Sequence, residues 1–469
     1  MSTIRYKKRY KKWYAYEITQ YWDKKLKKPR QHTKYLGVAN EKGGRYSKPE
    51  RTVAAVVPEK AILDYGDSFA INAVSKNIGL CKIIENSFGN LDSIMALICF
   101  QITEGVAMYN CEHWLEGNIA KKLFSAAKVN SQNISSLMKT LGRQDLQNKF
   151  FVSYISDFFS NNNNVLIDST ALPSAINSSI NAFGYVNGNI EENVTCLMLA
   201  DKKTKLPIYF RAVGGDIADI TTLKTAIAEI KKLGLKVSSA VLDAGYCSKD
   251  NLQFMCQEQI NFITRLPKSH KAFDLLIKQA GAIEKSKHAL AYGKRIVFIK
   301  SIKTNLYDHE MYAHIIFEPG KRSHDTKLIF KDRLDDKLTE NDKKELDEKI
   351  KTAGFLILLS HEDIAEKEVL PSYYERQTLE QIFGFAKHNN NILPLRVHSE
   401  QAVRGYLMLA FLALIVFVTV RQRLKMPMDH ALLILRNLKA KIFASDIVVQ
   451  EVNRKVKNIF ELLGVIMPT

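Results

Sequence analysis

The chain has few cysteines for its length: six in 469 residues, Cys81, Cys99, Cys111, Cys196, Cys247 and Cys256. None forms a C-x-x-C pair, and no Cys/His cluster has zinc-finger spacing. A disulfide scaffold is excluded, and a reducing, cytoplasmic compartment is expected. Acidic residues are also short, at 49 Asp+Glu against 68 Lys+Arg, for a net charge of +19. Such an excess favours a polyanionic partner, nucleic acid before membrane. The basic N-terminus MSTIRYKKRYKKWY is followed by no apolar core, so it does not read as a secretory signal. The longest uncharged apolar run, Gly405 to Val420, has 16 residues, where a membrane span needs about 20. It reads as a buried core helix. There is no internal repeat and no long low-complexity tract.

What is present is a folded composition, 46% hydrophobic and 10% aromatic, in a chain long enough for several domains. Residues 1–57 read as a basic β-hairpin module: Lys7, Lys8, Arg9, Lys11 and Lys12 open it, Lys24, Lys25, Lys27, Lys28 and Arg30 follow, and tyrosines and tryptophans are interleaved. WYAYEITQYW and QHTKYLGVA are its expected strands. The pattern suits DNA-backbone contact, with a merely solvated edge hairpin as the alternative. Residues 58–160 read as a helical region for DNA binding or dimerisation, with AILDYGDSFAINAVSKNIGL as one helix and Ser131 or Ser135 capping ISSLMKTL.

After the polar break Asn161–Asn164 the pattern changes to β-β-β-α-β-α-β. The strands are VLIDSTAL, VTCLMLAD, PIYFRAV, SSAVLD and INFITRLP; the helices are ITTLKTAIAEIKKL and SKDNLQFMCQEQ, the second capped by Ser248. This describes a mixed α/β sheet flanked by helices, spanning 161–267 and 366–425. Residues 268–365 read as a β-rich insertion in which KRIVFIKSI, MYAHIIFE, TKLIFKD and GFLILLS are strands. From 371 the chain reads as helical to its end, with 426–469 as C-terminal helices.

Asp168 follows the apolar run VLI, and Asp243 follows AVL. Sites in open α/β sheets gather at strand ends, although Asp168 alone reads first as an ordinary strand-end cap and Asp243 alone is ambiguous. Tyr373, Arg376, Glu380 and Lys387 stand at offsets 0, 3, 7 and 14 in YYERQTLEQIFGFAK. At about 100° per residue these would share one helical face, offering an acid between two cations and a phenol. Phosphate recognition uses such donors; a simple Arg376–Glu380 pair on a solvated face is the alternative. Asp216 and Asp219 are rival carboxylates in a turn at a helix start.

The spacing Tyr-x2-Arg-x3-Glu-x6-Lys resembles the signature of DDE transposases of bacterial insertion sequences, the insertion-sequence-four type. IDST and LDAGYCS resemble that family's first two catalytic blocks, and VGGDIADITTLKTA the stretch between them, with Gly215-Asp216 where Gly-Asn is expected. The resemblance implies a ribonuclease H-like core with a β-rich insertion between the second Asp and the Glu. It implies Asp168, Asp243 and Glu380 as catalytic ligands of two divalent ions, Mg2+ with Mn2+ able to substitute, and Tyr373, Arg376 and Lys387 as contacts to DNA phosphates. The expected partners are double-stranded DNA, as terminal inverted repeats and target, and a second copy of the chain, with no membrane, in the bacterial cytoplasm at the nucleoid. The alternative is a catalytically silent DNA-binding protein derived from a transposase.

Overall fold

The computed structural model describes residues 2–24, 27–48, 60–159, 162–174, 176, 180–186, 189–217, 219–331, 339–388, 399–443 and 446–467. The expected boundaries at 57/58 and 160/161, and Lys25, lie outside them. The chain divides into two compact units: Met1–Lys60 with Phe443–Ser445, and Ala61–Ile442 with Asp446–Thr469.

The first unit is an antiparallel sheet of β1 (Ser2–Arg9), β2 (Lys12–Asp23) and β3 (Lys28–Ala39), in that order. The two expected strands are β2 and β3; β1 is an additional strand. Few of its side chains are buried, Ala15, Ile18 and Ala39 among them. Tyr6 donates to the Gly44 carbonyl at 3.1 Å, tying the sheet to the segment that follows it.

The second unit opens with β4 (Ala61–Asp64) and a helical run: α1 (Gly66–Asn77), α2 (Leu80–Phe88), α3 (Leu91–Thr103), α4 (Cys111–Glu116), α5 (Ala120–Leu123), α6 (Ser131–Leu141) and α7 (Gln144–Phe158). Asn130, rather than either serine, caps α6 by accepting from the Asn133 amide at 2.9 Å. Ser131 is already the first helical residue. The central part follows as β5 (Asn162–Pro173), β6 (Ala182–Val186), β7 (Asn189–Asp201), β8 (Pro207–Gly214), α8 (Asp219–Lys232), β9 (Lys236–Leu242), α9 (Lys249–Gln257) and β10 (Asn261–Arg265). Ser248 caps α9 as its sequence suggests. β5 pairs parallel with β9, and β9 with β10, while β7 runs antiparallel between β5 and β8. Numbered in chain order without the short β6, these five strands stand 3-2-1-4-5 with the second reversed. That is the ribonuclease H-like arrangement.

Residues 268–365 contribute α10 (Ala272–Ala280), β11 (Ala289–Tyr292), β12 (Arg295–Leu306), β13 (His309–Phe317), α11 (Pro319–Lys331), α12 (Glu340–Lys351) and β14 (Phe355–Ser360). β14 pairs with β10, so β11–β14 extend the same sheet to ten strands. TKLIFKD was expected as a strand, but Thr326–Lys331 belong to α11. Pro319 starts that helix, where its missing N–H costs nothing, and Lys321 pairs with Asp325 at 2.9 Å one turn on.

The remainder is α13 (Glu366–Tyr374), α14 (Gln377–His388), α15 (Glu400–Arg423), α16 (Met428–Arg436), β15 (Lys439–Ile442), β16 (Ile447–Val449) and α17 (Arg454–Leu463). The helical expectation fails at both ends of this unit: Ala61–Asp64 and Lys439–Ile442 pair as antiparallel strands. Local apolar spacing yields there to a ladder between distant segments. α15 is long and apolar enough to cross a membrane, yet 83% of its apolar window is buried inside the protein. Phe411 lies against Phe151, Tyr154 and Phe210. α15 crosses α6 at two glycines: a Cβ on Gly405 would fall 1.7 Å from the Met138 carbonyl oxygen, and one on Gly142 1.7 Å from that of Gln401. Among the described residues no two cysteines form a disulfide.

Candidate active site

Val165, Leu166 and Ile167 are fully buried and fix β5 in the middle of the sheet. Asp168 comes next and is itself buried. It is not at the end of its strand, which continues to Pro173 alongside β7. It stands just beyond Leu166, the last β5 residue paired with β9. β9 ends at Leu242, so Asp243 emerges into the same gap. Thr264, wholly buried on β10, donates its hydroxyl to the Asp243 carbonyl at 3.1 Å. No local pattern in the sequence marks Thr264 for this part.

The third element departs from its expected form. YYERQTLEQIFGFAK is not one helix: α13 stops at Tyr374 and α14 begins at Gln377. Across the break the amides of Arg376, Thr378 and Leu379 bond to carbonyls three residues back. The turn is tightened, which shifts the phase of the helical face. Glu375 is held by Lys205 at 2.5 Å and Lys202 at 3.8 Å, two cations the sequence reading passed over.

Arg376 points into the acids rather than outward. Its guanidinium lies 2.9 Å from Asp168, 3.6 Å from Asp243 and 3.5 Å from Glu380. Tyr373 donates its hydroxyl to Asp243 Oδ1 at 3.2 Å. Lys387 falls in the last turn of α14, and its side chain lies outside the described residues. Asp216 is exposed in the turn after β8, and the side chain of Asp219 lies outside the described residues.

Burial pushes the Asp168 carboxyl up to about 6; Arg376 and the Ser169 amide oppose this, and Asp243 and Glu380 add to it. Burial also carries the Tyr373 phenol up to about 12, with Asp243 adding to it, so it keeps its proton and can donate. Burial acts to lower the Arg376 pKa, but Asp168, Asp243, Tyr373 and Glu380 together raise it.

Among the described residues no three His, Cys, Asp or Glu side chains are close enough to hold a metal ion as they stand. The guanidinium takes the place of positive charge between the acids. The donor set nevertheless fits a hard divalent ion: three carboxylates, oxygen only, gathered about one cation.

Fold and site together define a ribonuclease H-like protein with an acid cluster at the centre of its sheet. The family model described as "Transposase DDE domain" matches residues 163–416, over half of the chain, and the protein belongs to that family of transposases. Enzymes of this family use divalent metal ions. Among solved structures the chain is similar to the piggyBac transposase in a synaptic complex with hairpin DNA, at 10% identity and a TM-score of 0.41, covering 85% of this chain and 77% of that one. No curated protein sequence matches it.

Proposed function

We propose that this transposase cleaves DNA at the ends of a bacterial insertion sequence of the insertion-sequence-four type and joins those ends to target DNA. The observation that carries the reading is the meeting of Asp168, Asp243 and Glu380, from β5, the end of β9 and α14, at the Arg376 guanidinium.

Asp168, Asp243 and Glu380 would hold the divalent ions, Mg2+ with Mn2+ as a substitute. Bound there, two such ions would polarise the scissile phosphate and activate a water or a 3′-hydroxyl as nucleophile. The remaining work falls to the chain's own groups. Arg376 presents a planar fork suited to two phosphate oxygens at once. Tyr373, protonated, can donate to a phosphate oxygen or hold Asp243 in place. Lys387 would supply a mobile point charge to the same backbone. Thr264 and the buried VLI run keep the two aspartates from drifting. Lys7, Lys8, Arg9, Lys11 and Lys12 would contact the DNA backbone. Two copies of the chain would pair the two element ends in the cytoplasm, at the nucleoid.

The test is cleavage of duplexes carrying the sequences that flank the protein's own reading frame, with Mg2+ or Mn2+. Glu380→Gln should abolish nicking, by on the order of a thousandfold or more, if a metal ligand is lost, and leave DNA binding nearly intact. Full activity in that variant would sink the assignment.

A further inference from the structure

The turn joining β1 to β2 carries a residue its own fold does not need. Arg9 and Lys12 face each other as the last pair of the ladder, with Tyr10 and Lys11 between them. Tyr10 has a φ of 55°. This is the left-handed region, where a Cβ is crowded and where glycine, asparagine or aspartate usually serve in a two-residue hairpin turn. The ring regains nothing by packing, because Tyr10 is 98% exposed. Backbone strain that no local contact offsets points to use elsewhere.

Charge gives a second, independent sign. Every other residue from Lys7 to Lys12 is basic and exposed, and Arg9 opposite Lys12 sets like charges on directly facing positions, which weakens a ladder. No ion pair among the described residues neutralises any of the five. Lys7 and Lys8 lie 5.9 and 5.8 Å over the rings of Tyr16 and Trp13, so the stem is ordered while the tip keeps its uncompensated charge. A strained, solvent-facing ring among cations without ion-pair partners is matched by a polyanion that also offers apolar surface.

We propose that the β1–β2 turn enters a groove of duplex DNA, with the Tyr10 ring against base or sugar surfaces and Lys8, Arg9, Lys11 and Lys12 on the flanking phosphates. A two-stranded ribbon fits the major groove, about 12 Å wide. This rests on the DNA reading above and adds to it a contact that is not electrostatic. The cations supply attraction that salt weakens; the ring supplies an apolar contact to base edges, thymine methyls or sugars, which carries no charge to screen.

Fluorescence anisotropy with the full chain and a fluorescein-labelled duplex of mixed sequence, across a range of salt concentrations, separates the two. Tyr10→Gly relieves the strained φ, so thermal stability should hold or rise. Affinity should nonetheless fall about tenfold, or about 1.4 kcal/mol, at every salt concentration, with the slope of log K against log salt unchanged. Tyr10→Phe should bind as the wild type does. Lys11→Gln should reduce the slope by about 0.9, one phosphate contact. If the wild type binds and Tyr10→Gly binds equally well, the proposal is overturned and the DNA reading stands. A Tyr10→Gly loss that comes with a shallower slope also overturns it, since the ring then only arranges the lysines. If the wild type does not bind the duplex, the DNA reading falls and the proposal with it.

Discussion

The central sheet hides its strands, whereas the N-terminal sheet leaves most of its side chains in water. Val165, Leu166 and Ile167 on β5 are wholly buried, as are Leu197, Leu199 and Ala200 on β7. On β1 every residue but the half-buried Tyr6 is exposed. The first sheet can therefore hold carboxylates from separate strands in fixed register, because both of its faces are packed. The second has little core of its own, and its cations oppose one another. On the function proposed above, that exposed charge would meet DNA.

The contrast breaks most sharply at the α6–α15 crossing. Gly405→Ala sets a Cβ against a main-chain oxygen with no room to yield. The variant should lose on the order of 3 kcal/mol or more, seen as a lower urea midpoint.

An effect of similar size should depend on pH. His314 is fully buried, with Nδ1 2.7 Å from Ser301 Oγ and Nε2 2.9 Å from Ser360 Oγ. Burial lowers its pKa to about 4. The unfolded chain takes up this proton first, so the stabilisation is complete above about 6.5 and is lost as pH falls from there toward 4, by on the order of 3 kcal/mol. His314→Gln should flatten this acid limb; urea midpoints at neutral and acid pH compare the two chains. An unchanged acid limb would show that other groups control it.

Thr264→Val removes the hydroxyl that tethers the Asp243 carbonyl. Stability should fall by about 1 kcal/mol. If Asp243 is a ligand, the cleavage rate should fall further than DNA affinity does, which kinetics over a range of DNA concentrations would resolve.

In the exposed sheet the expected change is smallest. Lys12→Gln should alter stability by less than about 0.5 kcal/mol, and in the favourable direction, since it relieves the facing Arg9. A large loss would show that the N-terminal sheet depends on its cations for folding.

Most strands of the central sheet were legible because buried strands read as short apolar runs between turn residues, as VLI before Asp168 and AVL before Asp243 show; β6 and β11 were not. Ser248 was legible as a cap because capping is a local bond. The tyrosine–arginine–glutamate spacing located residues that the fold brings to one place, though by a tightened turn between two helices and not along one helical face. TKLIFKD misled, since three apolar residues in a row suit a strand or a helix alike, and Pro319 with its charged neighbours decided for the helix.

By itself the sequence determined the order of β5, β7, β8, α8, β9, α9 and β10, without the intervening β6, and the two acids that follow its apolar runs, because periodicity and capping are properties of neighbouring residues. Only the tertiary structure decided that Ala61–Asp64 pairs with Lys439–Ile442, that Gly142 and Gly405 meet, and that Arg376 turns inward to all three acids. Those are bonds between groups far apart in the chain. Their energies depend on where the backbone returns, which no local pattern records.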